Sequence, residues 1–345
     1  MELTIIIPTK GGDVRHRTLF HTVKLYERQF RHGCKLRILI VIDARNCLDL
    51  KNTVNFIEDL SSRARVNIDF TVYSGLNPVW GGIRWLNGDV EYVLIQGDDE
   101  LPARMKLRYL ERYIRRLRDS ILQLPVFERT TIPRIKPKVV IGQVNFHGIT
   151  SNFDALPPRA SRPFQIHNLA SNRVMPLYLA SKYNLEDIKL IGGYGVETHL
   201  AFQLIEDGVN LYYVPKIEVA NMHLQAERPH WRGPITHGNP FKSASELMRL
   251  IREVSRGNLH ERSYHQKSLL RLANYLYIAW RFNRRQLAHH ILRNFVYGRH
   301  YYRGLNVHER MEIIVRARQL VVREYGLLDL TALIDHYIGV LKCML

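Results

Sequence analysis

What most constrains this chain is a series of near-continuous apolar, β-branched runs in its first hundred residues. Leu3–Ile7 closes on Pro8, and Leu36–Ile42 (LRILIVI) ends in Asp43. Asn67–Tyr73 (NIDFTVY) follows, and Tyr92–Gln96 (YVLIQ) leads into Gly97-Asp98-Asp99-Glu100. A strand open to water on one face alternates apolar and polar residues, so runs without alternation belong to strands covered on both faces. Between them, Thr18–Gln29, Leu50–Arg63 and Trp80–Leu86 carry helical spacing. Strand–helix alternation of this kind predicts a doubly wound α/β sheet of the nucleotide-binding type. Its ligands are expected at the carboxyl ends of the strands.

Beyond residue 100 the pattern is less regular. Leu107, Leu110, Ile114, Leu117 and Ile121 fall on one stripe, which predicts an amphipathic helix over 103–122. Leu124–Lys138 is punctuated by proline and reads as an excursion, while Val139–Phe146 and Asn210–Val219 read as strands. Residues 226–242, rich in Pro, Gly, His and Arg, read as a mobile loop over the site. From Ser243 the chain becomes all-helical, with patterns at Ala244–Val254, Lys267–Phe282, Gln286–Val296, Val307–Arg323 and Leu327–Leu341. The expected organisation is a domain at 1–225, the loop, and a basic helical domain at 243–345.

The chain has 345 residues and a formal charge of +18. Residues 103–138 hold eleven Lys/Arg against three Asp/Glu, and the segment from Ser243 holds seventeen against eight. Such a balance predicts an anionic partner, whether nucleotide diphosphate, nucleic acid or anionic membrane surface, and does not choose among them. Three cysteines (Cys34, Cys47, Cys343) are too few for a disulfide framework or a zinc site. The expected location is a reducing cytoplasm, with peripheral membrane contact left open and no transmembrane segment.

Five features bear on chemistry. Asp98-Asp99-Glu100 ends a strand in adjacent carboxylates, hard oxygen ligands suited to Mg²⁺ or Mn²⁺ bound jointly with a diphosphate. An acidic turn before Leu101-Pro102 is the plainer reading. Gly192-Gly-Tyr-Gly-Val-Glu197 leads glycines into a helix start and exposes Glu197, a candidate base or simply a residue favoured by the helix dipole. His223 follows a strand-like segment and could supply one metal-binding nitrogen. Trp231 either stacks on a sugar ring or anchors its loop. Lys10-Gly-Gly-Asp-Val-Arg15 is a poorly spaced version of a phosphate loop, a feature that would favour a nucleotidyltransferase.

Taken in order, these motifs resemble the family 2 glycosyltransferases of the GT-A fold over about residues 1–225. The match runs through Leu3–Thr9, Leu39–Asp43, Gly81-Gly-Ile-Arg84, Tyr92–Asp99, Gly192–Glu197, Gly208–Pro215 and His223. The resemblance implies transfer of a sugar, with inversion, from a nucleotide-diphosphate sugar to an acceptor hydroxyl. That acceptor would be a glycan, a lipid-linked sugar or a nucleic acid. It places Pro8, Thr9, Asp43, Arg84 and Asp98 on the nucleotide, Asp99 and His223 on Mn²⁺ or Mg²⁺, and Glu197 at the acceptor as base; an acceptor contact for Trp231 rests on the composition of its loop alone.

The sequence departs from the family at three points, the first being Ala44, where a second acidic residue after Asp43 is usual. Gly97 stands where the first carboxylate of Asp-x-Asp is usual, and Thr198 follows Glu197 where an Asp is usual. These departures make a catalytically inactive GT-A-like binding protein one alternative. The charge of +18 with the basic tail makes a nucleic-acid-associated protein, including a glycosyltransferase of modified DNA, the other.

Overall fold

The computed structural model describes residues 2–29, 35–47, 49–86, 90–98, 100–102, 106–124, 126–128, 143–145, 148–150, 162–166, 169, 172–214, 219–221, 264–299, 302 and 304–345. The first seven elements alternate as expected. They are β1 (Glu2–Thr9), α1 (Asp13–Gln29), β2 (Lys35–Asp43), α2 (Leu50–Arg63), β3 (Asn67–Tyr73), α3 (Pro78–Trp85) and β4 (Tyr92–Ile95). These four strands are mutually parallel, in the order β4-β1-β2-β3.

Successive side chains of a strand point to opposite faces, and here both faces are covered. Leu3, Ile5 and Ile7 of β1 join Ile38 and Ile40 of β2 in one core with Leu19 and Val23 of α1 and Ile57 of α2. Ile6, Leu39 and Val41 enter a second core on the other face, with Ile83 of α3. Helix α3 lies very close to the sheet because two glycines line it. A Cβ on Gly82 would stand 2.8 Å from Ile6 Cγ2 and 2.9 Å from Val41 Cγ2, and one on Gly81 would stand 2.4 Å from Tyr73 Cγ.

Next come β5 (Glu100–Pro102), α4 (Lys106–Arg116), β6 (Ile121–Gln123), β7 (Val126–Glu128), β8 (Gln143–Asn145), β9 (Gly148–Thr150) and β10 (Phe164–Gln165). They are followed by β11 (Arg173–Pro176), α5 (Leu177–Lys182), α6 (Val196–Glu206), β12 (Leu211–Tyr213) and β13 (Val219–Asn221). The large sheet has eight strands in the order β10-β12-β6-β11-β4-β1-β2-β3, with β11 antiparallel to both β4 and β6. A three-stranded sheet, β5-β13-β7, stands beside the end of β4.

Two expectations need correction. The helix expected over 103–122 ends at Arg116, and Ile121 and Leu122 belong to a buried strand. Asp119, at φ 62, turns the chain out of helical conformation between the two. The single strand expected over Asn210–Val219 is two strands in different sheets, β12 pairing with β6 and β13 with β5 and β7.

Four helices close the chain: α7 (Tyr264–Arg281), α8 (Arg285–Val296), α9 (Val307–Tyr325) and α10 (Thr331–Lys342). Helix α9 begins at Asn306, whose side chain accepts from Glu309 N while the Glu309 side chain accepts from Asn306 N. It ends at Gly326 in the left-handed region. The tail core of Leu272, Leu276, Leu292, Phe295, Ile314 and Val321 takes in Phe202 from α6, so the tail packs directly on the sheet domain's last long helix. Among the described residues no helix is long and apolar enough to cross a membrane. The loop at 226–242 and the helix expected at Ala244–Val254 lie outside the described residues.

His199 of α6 sits at this junction, 4% exposed, with its ring edge-to-face on Phe282 at 4.9 Å. Burial first, then the charge of Arg281, lowers its pKa from 6.5 to about 4. Between those values the unfolded chain holds the extra proton, so the stabilisation is complete above about pH 6.5 and is lost as the pH falls to about 4. Urea unfolding across that window should lose about 3 kcal/mol in wild type from this residue, and much less in His199→Gln.

Candidate active site

The carboxyl ends of β1, β2 and β4 carry the residues expected at the nucleotide. Thr9, 1% exposed, accepts from Gly11 N at 3.1 Å and so holds the turn that follows β1. Gly11 and Gly12 take φ of 68° and 91°, and a Cβ on Gly11 would lie 2.2 Å from Thr53 Oγ1. Asp43, at the end of the neighbouring strand, is buried and accepts from Asn46 Nδ2 at 2.7 Å. Pro8 pairs in register with Val41.

The acidic run lies at the same edge. Glu100 N donates to Gly97 O at 3.2 Å, closing a four-residue turn between β4 and β5. Asp98 is 5% exposed and is ion-paired through Oδ1 with Arg15 of α1. Arg15, the last residue of the weak phosphate-loop pattern, thus reaches the acidic run. Asp98 Oδ2 is buried with no hydrogen-bond partner among the described residues. Asp99, His223 and Trp231 lie outside the described residues. Among the described residues no cluster of three metal-ligating side chains occurs.

Glu100 has a structural task rather than a ligand's. Its Oε2 accepts from Gly97 N at 2.8 Å and from Asn172 Nδ2 at 3.1 Å, while its carbonyl accepts from Thr22 Oγ1 and Gln96 Nε2. Tyr26 donates to Gln96 Oε1 at 2.5 Å, and burial, then the charge of Glu100, raises its phenol pKa. A polar network therefore lies beneath the turn, sealed from water.

Arg173, the first residue of β11, is 2% exposed and was not marked by any pattern in the sequence. Burial lowers its pKa, opposed first by the charge of Glu197 and then by that of Glu100. Glu197 itself stands in the first turn of α6, half-buried, behind Gly195 at φ 91. Arg84 is exposed on α3, where its charge is felt by Tyr73 and Glu186 at the end of β3. No described contact brings it to Asp98.

A cavity of about 700 Å³ opens elsewhere, between α4 and β12, lined by Arg112, Arg116 and Arg162 with Tyr109, Tyr113 and Tyr212. It contains none of the expected site residues.

No protein-family model matches the sequence, and comparison with curated proteins gives no match. Solved structures do resemble it. Residues 1–349 of S. aureus TarS, solved with UDP, match with a TM-score of 0.50 at 14% identity, over 99% of this chain and 90% of that one. GalNAc-T7, solved with UDP, GalNAc and Mn²⁺, matches with a TM-score of 0.53 at 13% identity, over 96% of this chain and 57% of the other. At these identities the likeness shows the fold, a GT-A-like sheet followed by a helical C-terminal region.

Removing the Glu100 carboxylate takes an acceptor from Gly97 N and Asn172 Nδ2 and a nearby negative charge from Arg173. Glu100→Ala is expected to cost about 3–5 kcal/mol in chemical denaturation, and Glu100→Gln, which keeps an acceptor oxygen, clearly less.

Proposed function

We propose that this protein is a nucleotide-sugar glycosyltransferase that acts with inversion at the carboxyl edge of β1, β2 and β4. The observation that carries this reading is Asp98. Its carboxylate is buried just beyond the end of β4, at the same sheet edge as Thr9 and Asp43, with one oxygen on Arg15 and the other without a donor among the described residues. Burying a carboxylate oxygen without a partner is costly, and a cation relieves the cost. The site therefore suits a divalent metal and a diphosphate arriving together.

The residues that would hold Mn²⁺ or Mg²⁺ are Asp98, Asp99 and His223, which follows Asn221 by two positions, and Asn221 pairs with Glu100. When bound, the metal neutralises charge on the leaving diphosphate as a Lewis acid. The chain's own residues do the rest. Thr9 and Asp43 hold the nucleoside, and Arg15 adds a positive charge at the diphosphate end. Glu197 takes the proton from the acceptor hydroxyl as its oxygen bonds to the anomeric carbon and the bond to the diphosphate breaks. Arg173 adds a buried positive charge near Glu197 and Glu100. UDP, bound in both solved relatives described above, is a natural first donor base to test.

A thermal-shift panel of UDP-, GDP-, dTDP- and CMP-sugars, with and without Mn²⁺, tests the proposal. One nucleoside-diphosphate sugar at a hundredfold its Kd should add about 2.7 kcal/mol, and the Mn²⁺-dependent part should vanish in Asp98→Asn/Asp99→Asn. If no nucleotide sugar moves the melting curve, or if the double variant responds as wild type does, the proposal fails.

A further inference from the structure

The loop before Glu197 takes its shape from glycines and from contacts with the tail. Gly192, Gly193 and Gly195 all take positive φ, at 67°, 77° and 91°, and α6 starts without a side-chain cap. Glycine loses more conformational freedom on ordering than other residues, so contacts from outside add to what the loop's own turn, Gly193 N donating to Leu190 O at 3.1 Å, supplies.

Helix α7 of the tail supplies such contacts. Asn274, fully buried, donates through Nδ2 to Ile191 O at 2.9 Å and to Tyr194 O at 2.8 Å. The Tyr325 hydroxyl of α9 donates to Asn274 Oδ1 at 2.6 Å and accepts from Ile191 N at 3.1 Å. Ile191 is thus bound at both its N–H and its carbonyl. Burial raises the Tyr325 pKa to about 12, so the donor proton stays in place through the working pH range.

Three more residues of α7 fall on the stripe of Asn274. Arg271 lies over the Tyr194 ring at 5.4 Å, and Ile278 Cδ1 would be 2.9 Å from a Cβ on Gly195. Tyr275, partly buried, lies near the Thr198 side chain and feels the charge of Glu197. Positions 271, 274, 275 and 278 share one face of a helix. That face is spent on the six residues that lead into Glu197 and on Thr198 just after it.

We infer that Asn274 is a positioning residue for Glu197, so that the helical tail completes the acceptor side of the site. This rests on the reading of Glu197 as the base. The tail sets where the glutamate stands relative to the donor edge, and a displacement of about an ångström at such a group can cost on the order of a hundredfold in rate.

The test uses the full chain with Asn274→Ala, Asn274→Asp and the milder Tyr325→Phe. Asp has the shape of Asn but lacks the two N–H donors. Hydrogen exchange in the 191–198 peptides should quicken about tenfold or more in both Asn274 variants, with β1, β2 and β4 unchanged. Tyr325→Phe should move the same peptides less. On the nucleotide sugar that wild type turns over, kcat should fall about tenfold or more, with the donor KM within about twofold.

Unchanged exchange in 191–198, or an Asn274→Asp enzyme with the wild-type kcat, overturns the inference. If Asn274→Ala does not fold, Tyr325→Phe decides by the same two readouts. A wild-type protein that turns over no nucleotide sugar overturns instead the functional proposal and the role of Glu197. In that event exchange still decides whether Asn274 holds the loop.

Discussion

The buried carboxylate of Glu100 is the interaction on which the rest of the site depends. It closes the turn that carries Asp98, fixes Asn172 at the start of β11, and supports the charge of Arg173. Without it the end of β4 would have unsatisfied backbone groups where water does not reach, and the turn would open to satisfy them. Charges this deep are held by one another and by hydrogen bonds, so the cluster acts as a unit. Its upper face is the Asp98–Arg15 pair, and Arg173 feels the charge of Glu197.

Two sheets and a helical tail are therefore joined at one point. The parallel strands deliver Thr9, Asp43 and Asp98 to a common edge, as a doubly wound sheet does. The small sheet pairs β5 with β13 and so brings the chain ahead of His223 alongside that edge. The tail packs on α6 through Phe202 and clasps the glycine loop through Asn274. It contributes no expected site residue, yet it faces the segment that positions one.

How much of this was legible in the sequence depended on how local the cause was. Strands β1 to β4 could be read because their apolar runs are continuous, and the ends of α2 and α8 to within a residue because helical periodicity is a local signal. Strand β11 was missed because its first residue is Arg173, and an arginine breaks an apolar run even when it is fully buried. The stripe of α4 ran on into Ile121 because that residue is buried too, and only the left-handed turn at Asp119 separates helix from strand. Of the acidic run, the edge position of Asp98 could be read from sequence. The structural task of Glu100 could not, because its partners lie 72 positions away at Asn172 and at the backbone of its own turn. Asn274 could not be found at all, since nothing near it in sequence distinguishes it from any other polar residue on a helix.

The central claim is that a nucleotide diphosphate and its metal meet at the end of β4. A crystal grown with Mn²⁺ and the nucleotide sugar that gives the largest thermal shift tests it directly, because manganese can be located by its anomalous scattering. The account predicts an anomalous peak at the Asp98 carboxylate, with the diphosphate on the metal and the nucleoside between Thr9 and Asp43. A nucleotide lodged instead among Arg112, Arg116 and Arg162, with no manganese at Asp98, would contradict it.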